Sequence, residues 1–218
     1  MKFDELIHEL DKRLKDPLPA GKAHELLRAR PVSGQFPDFG HKLPPRPGSV
    51  LILLFEEDGV IKLPLTKRAT YKGAHSAQIS FPGGKAETGE TAVEVALREA
   101  EEEIGVHRSE VKVIGQLSEF HVIPSNFMVT PVVGILDYVP VFKPDPREVE
   151  KIIYAEVTDI IRDDAVYEEE ILAAGLYPMI APHFLIEHEI VWGATAMMLN
   201  EFREVVRGIL GNNASLRG

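Results

Sequence analysis

The sequence predicts an α/β protein on three observations. Ser49–Glu56 (SVLILLFE) is a continuous apolar run that reads as a buried strand, and Asp58-Gly59 turns it into a second strand over Val60–Lys67. Gly84–Val106 reads as a loop leading into an amphipathic helix. Ala194–Leu210 reads as a long closing helix, with Thr195, Met198, Leu199, Phe202, Val205, Val206 and Ile209 on its apolar side.

The other elements follow in order. Phe3, Leu6, Ile7, Leu10 and Leu14 form a helical stripe over Lys2–Lys15, which Asp16-Pro17-Leu18-Pro19 stops. A short helix is expected near Lys22–Ala29. Arg30–Gly48 is rich in Pro and Gly and reads as an extended connector, in which Phe36, Phe39 and Leu43 are expected to be buried. The N-terminal helix could cover the domain or make a homodimer contact. Gln78–Phe81 is expected as a short strand entering a Gly-rich loop. Val111–Val122 and Phe127–Tyr138 read as strands, and Pro131 and Gly134 suggest that the second is an edge or carries a bulge. A loop and a helical turn near Arg147–Val149 precede a strand over Lys151–Val157 and a short helix near Thr158–Arg162. Tyr167–Leu172 and Phe184–Ile186 are expected to form a late hairpin.

The helix after Gly84 carries the chemistry. Val93, Leu97, Ala100 and Ile104 recur at the spacing of a core-facing stripe. Glu99, Glu102 and Glu103 share another face, and Glu101 points elsewhere. Such a cluster opposes helix formation, by roughly 0.2–0.5 kcal/mol per like-charged i, i+4 pair, and it lies in the half where the helix dipole favours cations. A divalent cation on that face would reverse the sign. Clustered carboxylates are hard oxygen ligands of the type that Mg²⁺ and Mn²⁺ prefer. A solvated acidic face is the plain alternative. Thr88 or Thr91 could cap the helix, Thr91 with Glu94 having capping-box spacing, and Gly105 is placed to end it. Gly83 and Gly84 allow a sharp turn and a close approach to phosphate.

Gly84, Glu90, then Arg98-Glu99-Ala100, Glu102-Glu103 and Gly105-Val106 stand at the spacing of the Nudix signature, so the chain resembles the Nudix hydrolases. The resemblance implies a mixed β-sheet sandwiched between helices, here with an extra N-terminal helix and Pro-rich segment. Residues 48–218 are the expected hydrolase domain, and residues 1–47, which the resemblance covers least, are expected as an extension packed on it. It implies hydrolysis of a small-molecule diphosphate, Mg²⁺ or Mn²⁺ held by Glu99, Glu102 and Glu103, and water activated by one of these or by a loop acid outside the motif. Glu90 and Arg98 are expected to pair and hold the loop to the helix.

Upstream, Leu65-Thr66-Lys67-Arg68-Ala69, His75-Ser76-Ala77-Gln78 and Phe81-Pro82-Gly83-Gly84 resemble the coenzyme A pyrophosphatase branch, as does Val191-Trp192-Gly193-Ala194-Thr195-Ala196. Gly73 stands where that branch has Arg, with Lys72 beside it, and Ala77 where it has Gly. Arg68, Lys72, His75, Gln78, Gly83 and Gly84 are therefore the expected substrate-binding residues, with Arg68 suited to bidentate phosphate contact. The expected substrate is coenzyme A or acyl-CoA, cut to 3′,5′-ADP and (acyl-)4′-phosphopantetheine. ADP-ribose or a nucleotide sugar is the alternative substrate, and a non-catalytic binding protein the alternative class.

Composition agrees with an enzyme of this kind. The 218 residues carry a formal net charge of −10, which argues against a nucleic-acid partner. Zero cysteines exclude disulfides and thiolate metal sites and suit the cytoplasm. No apolar run is long enough for a membrane span, and the N-terminus lacks the apolar core of a signal peptide.

Overall fold

The computed structural model describes residues 2–36, 38–69, 78–173 and 175–215, the last four without side-chain detail. In chain order the elements are α1 (Phe3–Arg13), α2 (Gly21–Leu26), β1 (Arg30–Pro31), β2 (Arg46–Glu57), β3 (Val60–Arg68), β4 (Ile79–Ser80) and β5 (Gly83–Lys85). Then come α3 (Ala92–Ile104), β6 (Lys112–Gln116), β7 (Phe120–Val122), β8 (Phe127–Ile135), β9 (Val149–Glu156), α4 (Val157–Ile160), β10 (Val166–Ala173), β11 (Tyr177–Ile186), β12 (Glu189–Trp192) and α5 (Gly193–Ser215).

The main sheet is mixed. β2 and β8 run parallel at its centre, and the other pairings are antiparallel: β3, β4, β5 and β9 on the β2 side, β6 and β7 on the β8 side. Alternate residues of β2 go to opposite layers, as a doubly covered strand requires. Leu51, Leu53 and Phe55 pack under α3, while Ile52 and Leu54 join the core that includes Leu199 and Phe202 of α5 and Leu6 and Leu10 of α1. The result is the expected α/β/α sandwich. Asp58 (φ 52°) and Gly59 (φ 80°) make the β2–β3 hairpin turn.

A second sheet holds β1, β11 and β10 in that order, with β12 also on β11. The late hairpin is thus longer than expected, and β1 and β12 join it. α5 is buried on more than one face: Asn200, Glu201 and Arg203 are buried beside its apolar residues.

Three expectations are corrected. β8 is not an edge. The carbonyl of Pro131 accepts from Leu117 N–H at the break between β6 and β7, and the missing N–H points to that same gap. The bulge lies on β6, between Val113 and Gly115, opposite Gly134. A Cβ at Gly134 would stand 2.6 Å from Val111 Cγ1, so a side chain there would have to displace Val111. The buried face of α3 is also rotated from the expected stripe. Val95, Ala96, Ala100 and Ile104 are buried, whereas Val93 and Leu97 are only half-buried. Finally, Phe36, Phe39 and Leu43 are exposed, Leu43 at 78%. The connector is held by backbone contacts instead, with Asn126 Nδ2 donating to the Leu43 carbonyl at 3.0 Å.

Candidate active site

The site forms where β5 passes under α3. Thr91 caps the helix: its Oγ1 accepts from Glu94 N–H at 3.3 Å, and Glu94 accepts from Thr91 N–H at 2.8 Å. Gly105 closes the helix in the left-handed region (φ 73°), donating to the Glu101 carbonyl at 3.1 Å. Glu101 turns outward to Arg108 at 2.6 Å.

Glu90 and Arg98 pair as expected. Arg98 donates Nε and Nη2 to the two oxygens of Glu90 at 2.7 and 2.9 Å, and Nη2 reaches the Lys85 carbonyl at 3.1 Å. This fork ties the loop before α3 to its middle, and Arg98 holds the Glu90 carboxyl down at about 2. Arg98 also spans two of the clustered acids, with Nη1 2.8 Å from Glu99 and 3.4 Å from Glu102.

Two glycines bring β5 against the acids. Gly83 (φ 159°) lies where a Cβ would stand 2.4 Å from the Ser49 carbonyl, and its N–H donates to Glu103 at 3.1 Å. A Cβ at Gly84 would fall 2.4–2.5 Å from the carboxylate atoms of Glu99. Gly84→Ala is expected to leave the fold intact, because the clash is with the end of a flexible side chain. It should cut turnover at least tenfold by displacing Glu99, which thermal melting and rate measurement on the same sample will check.

The acids differ in environment. Glu103 is 3% exposed, and burial raises its carboxyl to about 7, with Gly83 N–H and Arg68 opposing the rise. Burial also raises Glu99, against the pull of Arg98, with Glu102 and Glu148 adding to the rise. Glu102 stands at the exposed rim. Arg68, at the end of β3, places Nη1 3.8 Å from Glu103. Its Nε is shielded from solvent and has no hydrogen-bond partner among the described residues. Gln78 faces Arg68 across the β3–β4 ladder, its carbonyl accepting from Arg68 N–H at 3.0 Å.

Glu99, Glu102, Glu103, Gly83, Gly84, Arg68 and Gln78 are therefore gathered at one end of the sheet. Lys72 and His75 lie outside the described residues. Lys67 is turned away and spent on Glu189 at 2.9 Å and Glu150 at 3.6 Å. One acid escaped the sequence reading. Glu148 acts electrostatically on both Glu99 and Glu103. Its turn is anchored by Asp145 N–H on the Glu103 carbonyl (3.0 Å) and by the Glu148 carbonyl on Ala69 N–H (2.8 Å). No local pattern separates Glu148 from the solvated run Glu168–Glu170; only the β3–β9 register brings it beside Arg68.

Comparison with known proteins shows the family. Residues 45–179 match the family model for the NUDIX domain. Nudix hydrolase 22, chloroplastic, of Arabidopsis thaliana is 37% identical over 171 residues, 74% of this chain and 56% of that protein. The uncharacterized Nudix hydrolase NudL of Yersinia enterocolitica is 32% identical over 65% of this chain and 72% of its own length. A peroxisomal coenzyme A diphosphatase of Mus musculus is 33% identical over 58% of this chain and 54% of its own length. This chain thus spans little more than half of two of these three relatives. Among solved structures, the Nudix hydrolase RenU of M. smegmatis superposes with a TM-score of 0.53 at 17% identity, covering 83% of this chain and 94% of that one, a likeness of fold.

Nudix hydrolases generally require a divalent metal cation. The donor set fits one in kind, since Glu99, Glu102, Glu103 and Glu148 offer hard carboxylate oxygens. Among the described residues no three acids or histidines are grouped to hold an ion; Arg98 bridges Glu99 and Glu102 instead.

Proposed function

This chain belongs to the Nudix hydrolase family, and we propose that it hydrolyses the diphosphate of coenzyme A or acyl-CoA to 3′,5′-ADP and (acyl-)4′-phosphopantetheine. The observation that carries the proposal is Arg68. A guanidinium whose shielded Nε has no hydrogen-bond partner among the described residues, beside the buried acid Glu103, is suited to a phosphate oxygen, which would satisfy Nε and add charge-assisted contacts. The similarity to a coenzyme A diphosphatase and the upstream sequence through Phe81-Pro82-Gly83-Gly84 support the choice of substrate.

Each residue then has a task. Glu99, Glu102 and Glu103 would hold Mg²⁺ or Mn²⁺, which when bound neutralises phosphate charge and acidifies water. Gly83 N–H orients Glu103, and the bare Gly84 leaves room for the Glu99 carboxylate. Arg98, clamped by Glu90, keeps Glu99 in place. Glu148, whose charge acts on Glu99 and Glu103 from outside α3, would accept the proton of the attacking water. Water adds to one phosphorus, the P–O bond from that phosphorus to the bridging oxygen breaks, and the other phosphate leaves with that oxygen. The absence of cysteine is what supports a cytoplasmic setting.

Comparing coenzyme A with 3′-dephospho-coenzyme A tests the reading. Higher kcat/KM is expected for coenzyme A. Arg68→Ala should lower kcat/KM by about ten- to hundredfold, from loss of a contact worth roughly 1.5–3 kcal/mol, and should narrow the gap between the two. Equal use of both compounds by the parent would remove the 3′-phosphate from the account.

A further inference from the structure

α1 packs on β6 at one end and parts from the sheet at the other. Near the C-terminal end of the helix the contact is tight: a Cβ at Gly115 of β6 would stand 2.8 Å from Leu14 Cδ1. Toward the N-terminal end a groove opens, with a volume of about 730 Å³, within the range of small-molecule sites. Its floor is apolar, made by Phe3 and Ile7 of α1, Ile114 of β6 and Ile135 of β8. Its walls are acidic. Asp4 and Asp11 stand on α1, Glu56 and Asp58 on the β2–β3 hairpin and Asp137 just past β8, against one lysine, Lys112. The strand register explains the mixture. Leu54, Ile135 and Lys112 form one row across β2, β8 and β6, and Glu56 follows Leu54 on the same face by strand alternation.

The charges of the groove are largely unanswered. Asp11 is held by Lys15 at 2.8 Å. Asp4, Glu56, Asp58 and Asp137 make no ion pair or side-chain hydrogen bond among the described residues. The groove is also remote from the α3 acids. Ser49 of β2 pairs with Gly84, and Glu56 lies seven residues further along the same strand, roughly 23 Å at about 3.3 Å per residue. An anionic substrate would be repelled here, so this is no second seat for a diphosphate. A compact hydrated ion is poorly served too, because the acids stand on separate elements around an apolar floor and no three of the described acids or histidines are grouped to hold a metal. The complementary occupant is long, flexible and cationic at intervals. Methylene runs can lie on Phe3 and Ile7, as lysine stems lie on apolar surface, while the ammonium groups reach the walls.

We propose that the groove between α1 and the β2–β3 hairpin binds a linear aliphatic polyamine. The assignment is independent of the substrate and of the reaction at α3. Calorimetric titration of spermidine into the full chain, with excess Mg²⁺ present to engage the α3 acids, should show one saturable site that weakens as salt rises. The double variant Glu56→Gln, Asp137→Asn changes two exposed side chains and should keep the melting temperature and turnover of the parent. It should weaken spermidine binding at least tenfold. Glu99→Gln should leave that binding unchanged. 1,2-Diaminoethane, which is charged but has no long methylene run, should bind at least tenfold more weakly than spermidine. Absence of a saturable site, equal binding by the double variant, loss of binding in Glu99→Gln, or equal binding of the short diamine would overturn the proposal and leave the groove a solvated acidic surface.

Discussion

Glu103→Gln is expected to cut turnover by at least a thousandfold and to stabilise the metal-free protein. The substitution keeps shape and the contact from Gly83 N–H, but removes a charge that is 3% exposed and only loosely answered by Arg68 at 3.8 Å. The carboxyl sits at about 7 in the folded state against 4.5 when unperturbed. The native state therefore binds more protons than the unfolded chain between these values, and stability falls as pH rises through that window. Above it the parent carries a penalty of roughly 3 kcal/mol that the amide does not. Melting of both proteins without metal from pH 5 to 8 should show the variant gaining on the parent as pH rises. Turnover with Mg²⁺ or Mn²⁺ should fall by at least a thousandfold. A folded variant of near-normal activity would remove Glu103 from the metal set.

Glu201→Ala is expected to give the larger loss of stability. The carboxylate of Glu201 is fully buried in α5 and collects the N-terminal segment onto the domain. It accepts from Ala20 N–H at 2.9 Å and from Ser118 Oγ at 2.6 Å, and lies 3.0 Å from His24 Nε2. Removing it strands these groups without water, for roughly 3–5 kcal/mol. Burial pushes this carboxyl up, but the hydrogen bonds from His24, Ser118 and Ala20 outweigh burial and hold it below its usual value. Its contribution is thus present above the unfolded pKa and lost as pH falls through the depressed folded value. Urea melts at pH 7 should show the full loss in Glu201→Ala, and the gap from the parent should shrink in acid. An unchanged midpoint would mean that α1 and α2 are held by their apolar contacts alone.

Much of this was legible from residue chemistry. The Thr91–Glu94 box, the Gly105 stop, the Asp58-Gly59 turn and the Glu90–Arg98 pair each rest on interactions within a few residues. Where the outcome depended on distant partners, the reading went astray. Pro131 looked like an edge signal because its missing N–H was visible but the break between β6 and β7 that excuses it was not. Leu97 fits the helical stripe, yet Ala96 lies deeper because α3 packs close on β2. Hydrophobic character alone suggested burial for Phe36 and Leu43, which the connector leaves in solvent. The α3 half of the site, Glu99, Glu102 and Glu103, follows from helical spacing. Glu148 and the neutralised Lys67 follow only from strand register.

The most direct test of the central claim is a substrate panel with product identification. Coenzyme A, 3′-dephospho-coenzyme A, ADP-ribose and a nucleotide sugar are offered separately with Mg²⁺ or Mn²⁺, and products are resolved by mass. The account predicts the highest kcat/KM for coenzyme A, with 3′,5′-ADP and 4′-phosphopantetheine as the only products, and no turnover in chelator. Preference for ADP-ribose over either coenzyme A compound would contradict the substrate assignment, and full activity in chelator would contradict the role given to the α3 carboxylates.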